Sequence, residues 1–541
     1  MPDSRSIRPM LTYSFGMPLR ARRVQATERS EQLGQKTTRR GFLVAAAAGA
    51  AGLALTGVAG CGGSTDPGRA TSASLRRPQE AWVFRSRPDL RPPAVRVLEN
   101  RRGTAPGYIF LAPKKDPDET GPGQDGPMIV DNDGRPVWFR PAPPGEPDTM
   151  DFKAQSYKGR PVITWWEGVH DGFGDGEYVV FDESYREVAR VRAGNGLNGD
   201  HHEFLISARG TALVTIYAET PMDLSAYGGP KDGLVMDGVV QEIDIETGEV
   251  LFEWHSLEHV DVGESYYDPV NVPTNRFDYF HINSVDVDTD GNLLVSARRT
   301  SAVYKIDRQS GEVIWRLGGK RSDFEMEEGT DFAYQHDARR RPDGTITLFD
   351  NYGPKGEEDR SRAVVLEVDE EAMKAALVRE YFAPAGMPIA DTQGNVQILP
   401  DGNVFVGWGS EPYFSEFSHE GEILFHAAFA PWGESYRAFR LPWSGRPDDA
   451  PTVTTAGGRE GKTTLYASWN GATEVAAWQV FAGPAPDDLR LVNSVPRRGF
   501  ETVIEVETTE PYVGVRGEDR SGGPMGRIMT AEIEGRRGDD S

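Results

Sequence analysis

The stretches that decide the fold are IDIETGEVLFEW (243–254) and IDRQSGEVIWRL (306–317), a hairpin type of apolar-x-apolar, acidic turn, Gly-Glu and a strongly apolar strand. FSHEGEILFHAAF (417–429) repeats it, and VDNDGRPVWF (130–139), FDESYREVARV (181–191) and VDEEAMKAALVREY (368–381) are looser copies. A second type interleaves: FKAQSYKGRPVITWW (152–166), EFLISARGTALVTIY (203–217), NSVDVDTDGNLLVSAR (283–298), DARRRPDGTITLFDN (337–351) and NVQILPDGNVFVGWG (395–409). Each has a turn ending in Gly and then an apolar strand, the pattern of a tight β-hairpin. A degenerate copy, GYIFLAP (107–113), precedes the first acidic-turn hairpin. Alternating hairpins predict six four-stranded units, and such units repeated around an axis make a β-propeller. A flat stack of the same hairpins would leave long exposed edges. The one helical turn expected is short, at residues 370–376.

Outward from the repeat, 442–451 is a Pro/Gly/Asp-rich linker. TTLYASWNG (463–471), VAAWQVFAG (475–483), LRLVNSV (489–495), FETVIEVE (500–507) and YVGVRGEDRSG (512–522) follow. Short alternating strands at this spacing predict a small Ig- or fibronectin-like sandwich. The expected fold is all-β, a six-bladed propeller over 105–440 followed by linker, sandwich and tail over 441–541.

The other end reads as an export signal. Thr38-Arg39-Arg40-Gly41-Phe42-Leu43 opens a low-polarity run, 44–58, that ends in Val58-Ala59-Gly60-Cys61. A twin arginine before a short apolar run marks the route taken by folded proteins, and the run is too short for a comfortable membrane span. Val58-Ala59-Gly60-Cys61 resembles the bacterial lipobox, which implies acylation of Cys61. The expectation is a signal over 1–61, a flexible tether and lead-in over 62–104, and a lipid anchor on the extracytoplasmic face of the membrane. Cys61 is the single cysteine, so the fold holds without an intramolecular disulfide.

The chain carries a net charge of −24; without the nine basic and three acidic residues of 1–61, 50 basic and 80 acidic residues remain, near −30. That balance argues against nucleic acid and against a basic surface for anionic lipid, so membrane contact is expected through the anchor only.

The inner-hairpin turn glycines are Gly159, Gly210, Gly291, Gly344 and Gly402. Eight residues before each stand Asp151, His202, Asn283, His336 and Gly394. Rotation about a propeller axis brings equivalent positions to one central funnel, so two histidines and an Asn share a ring. His281 precedes Asn283 by two and joins it on the same strand face. Arg298 lies at the far end of the same hairpin. Imidazoles with an Arg in an acidic protein make an anion site. Alternation puts His201 and His202 on opposite faces, and register selects His202. Of the adjacent pair Arg298 and Arg299, one is expected to be a surface cation. His170, His255, His259, His419 and His426 fall off the ring and read as structural or exposed. Asp286-Val287-Asp288-Thr289-Asp290-Gly291 mimics the start of a calcium loop, but its twelfth position is Ala297, and turn chemistry explains it better. Three histidines also have the ligand types of an open zinc site, which spacing leaves open; no metal and no cofactor is expected.

Four segments carry a family resemblance: Asp278-Tyr279-Phe280-His281-Ile282-Asn283-Ser284, Ser296-Ala297-Arg298-Arg299-Thr300-Ser301, Val313-Ile314-Trp315-Arg316-Leu317-Gly318-Gly319 and Gln335-His336-Asp337-Ala338. Here the chain resembles the bacterial arylsulfate sulfotransferases, over about 107–431. The resemblance implies a propeller with an axial site that moves a sulfuryl group from an aryl sulfate to a phenol without an adenosine phosphosulfate donor. It places the transiently sulfated histidine at His336, with His281, Arg298 and His202 as catalytic partners and Asn283 binding substrate. The best-known enzymes of that family have an N-terminal β-domain and a disulfide; this chain has a single Cys and an added C-terminal sandwich. Tyr266, Tyr267, Phe277, Tyr279 and Phe280, in the linker 255–280, are candidates for an aromatic rim around a phenol. A hydrolase releasing sulfate and a non-catalytic ligand-binding propeller are the rival readings.

Overall fold

The strand Val95–Asn100 starts no sheet of its own; it pairs antiparallel with Ile423–Phe429, more than three hundred residues on. The same joining of distant ends recurs one strand later. Tyr108–Leu111 takes Met128–Val130 on one side and Ala438–Leu441 on the other. The computed structural model in which these pairings occur describes residues 80–533, apart from 116–120, 122, 143–147, 171, 272–275, 354–359, 430–432 and 457–460. The twin arginine, Cys61 and most of the tether lie outside the described residues.

Between those closures the described residues form six sheets, each built on four antiparallel strands, with the short parallel strands Arg276–Phe277 and Glu325–Met326 added to the third and fifth. The first contains Ala438–Leu441, Tyr108–Leu111, Met128–Val130 and Pro136–Phe139. The second runs Asp148–Tyr157, Arg160–His170, Gly174–Asp182 and Glu187–Val191, and the third Phe204–Ile206, Thr211–Met222, Gly233–Asp244 and Val250–His255. The fourth is Ile282–Val287, Leu293–Ala297, Ala302–Ile306 and Val313–Gly318. His336–Arg340, Ile346–Asp350, Arg362–Asp369 and Lys374–Phe382 make the fifth. The sixth is Asn395–Ile398, Val404–Gly407, Tyr413–Phe417 and Ile423–Phe429, widened by Val95–Asn100. From the second sheet on, the Gly-turn hairpins supply strands one and two, and the acidic-turn hairpins supply three and four.

What joins the sheets is apolar surface on both faces. Phe110 and Trp138 of the first sheet meet Phe152 and Trp165 of the second. Tyr178 of the second meets Ile216 of the third, and Leu213 of the third meets Val285 of the fourth. Trp315 of the fourth packs with Leu348 of the fifth, and Phe349 of the fifth with Val406 of the sixth. Phe405 of the sixth then shares a cluster with Ile109 of the first. The series of cores thus returns to its start. Each fully buried branched or aromatic side chain contributes ~1.5–3 kcal/mol, so these six clusters hold the β body together. The fold is all-β and propeller-like.

Two further sheets follow: Thr452–Ala456, Lys462–Ser468 and Glu501–Glu507; and Asp488–Pro496, Ala477–Ala485, Tyr512–Glu518 and Pro524–Glu532. Their alternating inward residues, among them Leu465, Trp478, Ile504 and Val515, share one core. Gly471 N–H donates to Val137 O at 2.8 Å and the Tyr185 hydroxyl to Gly471 O at 2.9 Å, which seats this region on the first and second sheets.

The helical turn expected at 370–376 is absent. Asp369 Oδ1 accepts the N–H groups of Glu371 and Ala372 and closes a turn, after which Lys374–Phe382 is strand. Helical turns occur instead at Ser225–Tyr227, Ser256–His259, Val262–Glu264 and Pro269–Asn271. No helix among the described residues is long and apolar enough to cross a membrane.

Candidate functional site

The inner strands change register where the ring positions fall: between Met150 and Lys153, Ile282 and Ser284, and His336 and Arg339. Such bulges re-aim side chains. Asp151, His281, Asp337 and Gln393 have φ of 54°, 55°, 57° and 66°. Non-glycine residues in the left-handed region cost ~1–3 kcal/mol each, so the surroundings must lock them. Tyr436 and Arg437 do part of this. The Tyr436 hydroxyl lies 3.2 Å from the carbonyls of both His202 and Asn283, and Arg437 reaches Asp151 Oδ1 at 2.9 Å and Asn283 O at 3.1 Å. The buried Asn283 amide donates to Gln335 O at 2.7 Å, beside His336.

Three imidazoles line up across sheets three to five. His202 and His281 meet edge to face with centroids 5.0 Å apart, and His281 and His336 at 6.5 Å. Each has its Nδ1 engaged: His202 on Asp200, His281 on Asp278 at 2.5 Å, His336 on Asn351 Oδ1 at 2.8 Å. Those acceptors place the ring proton on Nδ1 and leave Nε2 as the basic atom. Burial, and after it the Arg298 guanidinium, holds His336 well below its ordinary pKa. Burial also outweighs the Asp278 carboxylate and brings His281 down to about 4. His336 is 1% exposed, whereas the His281 side chain is 16% exposed and the more open of the two.

Arg298 is buried over the Tyr334 ring, 5.1 Å from its centroid, and donates to Asp391 O at 2.8 Å. Arg299 is no free surface cation, for it lies 3.5 Å over Tyr267 and 3.7 Å from Asp278. Arg298 Nε, Asn283 Oδ1 and Gln393 Oε1 are buried without a partner. Buried polar atoms are nearly always hydrogen-bonded, so these are donors and acceptors that the protein itself leaves unsatisfied.

Strand alternation misleads at His201. Residues 201–202 form a turn, not a strand, and both rings lie on the Asp200 side with centroids 4.0 Å apart. Burial brings His201 down to about 3. His170, read as peripheral, packs 4.7 Å from His201. Burial would raise the Asp200 carboxyl, but His202 and His201 hold it well below the usual range. Asp200, His201 and His202 are the described residues whose ligand atoms gather within 4.8 Å, as a cation would need. Asp200 already accepts from the N–H groups of Gly174 and His202 and from the His202 ring. His255 is salt-bridged to Asp237, and its pKa rises to about 9. The calcium-like segment is a hairpin turn whose Asp288 and Asp290 pair with Lys305 at 3.1 and 2.8 Å.

Of the aromatic-rim candidates, Phe277, Tyr279 and Phe280 are core residues. Tyr266 and Tyr267 are about half exposed. Tyr217, which no sequence signal marked, stands 5.6 Å from His202 and 5.8 Å from His281.

Further along the same inner strands, the axis is closed by Arg437, Lys153 and Arg339 against Asp151, Glu203 and Asp337. Burial would raise Glu203, but Arg339, Arg437 and Lys153 hold it below the carboxylate range. Beyond that plug lies a cavity of about 860 Å³ between the turn glycines, with Lys153, Asp337 and Arg339 in its wall. The imidazoles are not part of that wall.

Among solved structures, similar ones include a protein of unknown function from Bacteroides caccae (14% identity, TM-score 0.38, covering 62% of this chain and 98% of that one). A catalytically inactive virginiamycin B lyase from Staphylococcus aureus with quinupristin is similar at 7% identity and TM-score 0.31, over 70% of this chain and 97% of that one. A protein from Dyadobacter fermentans matches at 12% identity and TM-score 0.32, over 70% and 96%. Likeness at this level transfers no activity. No curated protein matches the sequence. The sequence model of the Arylsulfotransferase (ASST) family, in contrast, matches residues 153–430. That span is half the chain and takes in His202, His281, Arg298 and His336, so the chain belongs to the arylsulfotransferase family.

Proposed function

We propose that the protein is a six-bladed propeller with a C-terminal sandwich that moves a sulfuryl group from an aryl sulfate to a phenol through a sulfo-histidine at His336. Family membership supports aryl sulfates and phenols as the substrate classes. The six inter-sheet clusters that return to their start support the blade count. The observation that carries the mechanism is the set of Nδ1 partners, which leaves three Nε2 atoms basic in one buried site.

In the first half-reaction Nε2 of His336 attacks sulfur, the S–N bond forms, and the S–O bond to the aryl group breaks with its electron pair on the phenolate. Arg298 stabilises the charge on the sulfuryl oxygens, and Asn283 binds beside it. In the second, the acceptor hydroxyl loses its proton to His281 or His202 and its oxygen attacks sulfur, breaking S–N. The departing phenolate takes its proton from solvent, and the histidine that deprotonates the acceptor returns one to solvent, so none is gained or lost overall.

Incubation with nitrophenyl sulfate, with and without phenol, tests this. Phenol-dependent nitrophenol release is expected; release independent of phenol would make the protein a hydrolase, and none would make it a binding module. Arg39-Arg40 and Val58-Ala59-Gly60-Cys61 support twin-arginine export and a lipid anchor outside the cytoplasmic membrane. Cys61→Ala should then move the protein from the membrane to the soluble fraction, and an unchanged distribution would reject lipidation.

A further inference from the structure

We propose that Asn351 is the positioning residue that sets His336 apart as the nucleophile, one side-chain amide fixing what both ring nitrogens do. The role in turnover rests on the sulfo-histidine reading; the geometry does not.

Asn351 follows the strand Ile346–Asp350 and is fully buried. Its Nδ2 donates to Ala390 O at 2.8 Å and to Gln393 O at 3.1 Å. With both amide hydrogens committed, Oδ1 faces His336 Nδ1 as an acceptor, and the ring proton is on Nδ1. The carbonyls that Nδ2 holds belong to a segment whose Gln393 N–H donates to His336 Nε2 at 3.2 Å, and whose Asp391 carbonyl accepts from Arg298. The Ser361 hydroxyl ties Asn351 to this segment again, donating to Asn351 O at 2.7 Å and accepting Ala390 N–H at 2.9 Å.

The contrast lies in charge. His202 and His281 have a carboxylate on Nδ1, whereas His336 has a neutral amide. A carboxylate stabilises an imidazolium, and an amide oxygen does so much less. The titratable and charged groups acting on the His336 ring are Arg298, His281 and His202, all of which disfavour a positive ring. Two consequences follow. The free ring stays neutral with its Nε2 pair available at the long, weak Gln393 contact. After attack, the sulfated ring carries a positive charge that Asn351 does not neutralise, so the S–N bond stays labile and the group passes on. The Gln393 N–H, displaced from Nε2 by sulfur, is then beside a sulfuryl oxygen and can donate to it.

The experiment is ¹⁵N NMR of the full chain labelled at histidine, with His336→Gln to assign the resonance. In the unsubstituted protein His336 should be the neutral Nδ1–H tautomer throughout pH 5–8. In Asn351→Asp its titration should move upward from that of the unsubstituted protein, toward that of His281, whose Nδ1 has a carboxylate partner. With nitrophenyl sulfate alone, Asn351→Asp should still form the His336 adduct but pass it to phenol more slowly, by on the order of 10²-fold. An Nε2–H tautomer in the unsubstituted protein overturns the proposal without any variant having to fold. So does an Asn351→Asp protein whose His336 titrates as before. A chain that shows both spectroscopic results yet transfers no sulfuryl group would instead defeat the sulfotransferase reading and leave Asn351's role standing.

Discussion

The rings of His202 and His281 meet edge to face, 84° apart in plane, although the two residues come from neighbouring sheets. Each ring keeps a basic Nε2 because an aspartate takes its Nδ1. In the proposed mechanism the pair offers two bases next to one nucleophile, His336.

This arrangement predicts a split between half-reactions. His336→Ala should abolish turnover, and an aryl sulfate without acceptor should leave the mass of one sulfuryl group on the peptide holding His336 only. His281→Ala should still form that adduct from nitrophenyl sulfate, whose leaving group needs no proton, yet transfer it to phenol 10²–10⁴-fold more slowly. Quenched-flow mass spectrometry reads both steps. An adduct on another peptide would remove His336 from the mechanism.

In the proposed mechanism Arg298 is the preorganised cation for the sulfuryl oxygens; its guanidinium is anchored by the Asp391 carbonyl and its Nε is unpartnered. Arg298→Ala should lower kcat by about 10²–10³. Arg298→Lys should recover little of it, since one ammonium cannot both hold that carbonyl and present a second donor in plane. Steady-state kinetics decides the matter; a change confined to KM would make Arg298 a binding group alone.

Acid should destabilise the fold through the histidines it buries neutral. His201 titrates at about 3 in the native state because burial disfavours its charge. Unfolded, its ordinary value is about 6.5, so the unfolded chain binds more protons and stability falls as pH drops from about 6.5 toward 3. His281, at about 4, adds to the same slope. Between pH 7 and 4.5 His201→Gln should lose about 2–3 kcal/mol less than the unsubstituted protein. Carboxylates other than Asp200, which His201 helps to hold low, titrate alike in both chains and cancel. Denaturant melts at the two pH values give the comparison, and parallel losses would show that His201 is charged when folded.

The parts of the site legible in the sequence were those fixed by hairpin length. Counting back from a turn glycine reaches Asn283 and His336 because a rotational repeat keeps that distance. It was blind to partners set across a bulge: Asn351 meets His336 over a ladder that shifts register between His336 and Arg339. The period of two also fails where the chain turns, which is why both His201 and His202 face Asp200. The closing strand Ala438–Leu441 belongs to no quoted hairpin, and its trace in the sequence was a first unit one strand short, GYIFLAP. Tyr436 and Arg437 enter the axis just ahead of that strand, and nothing in the repeat pointed to them.

Arg437 should matter to folding more than any residue of the imidazole row. Its guanidinium is fully buried, reaching Asp151 at 2.9 Å, Glu203 at 3.2 Å and Asp337 at 3.4 Å. With Lys153 and Arg339 it balances three carboxylates charge for charge. A buried ionic group of this kind adds little net stability over a well-packed apolar one, but removing a single member strands the rest. Arg437→Met should therefore cost about 3–5 kcal/mol. It also removes the bond to Asn283 O, so the imidazole row should loosen where the protein still folds. Replacing Arg437, Asp151 and Glu203 together by apolar residues of similar volume should recover much of that loss. Chemical denaturation of the single and triple variants separates the two effects. A single variant within about 1 kcal/mol of the parent would mean that water reaches the plug and screens it.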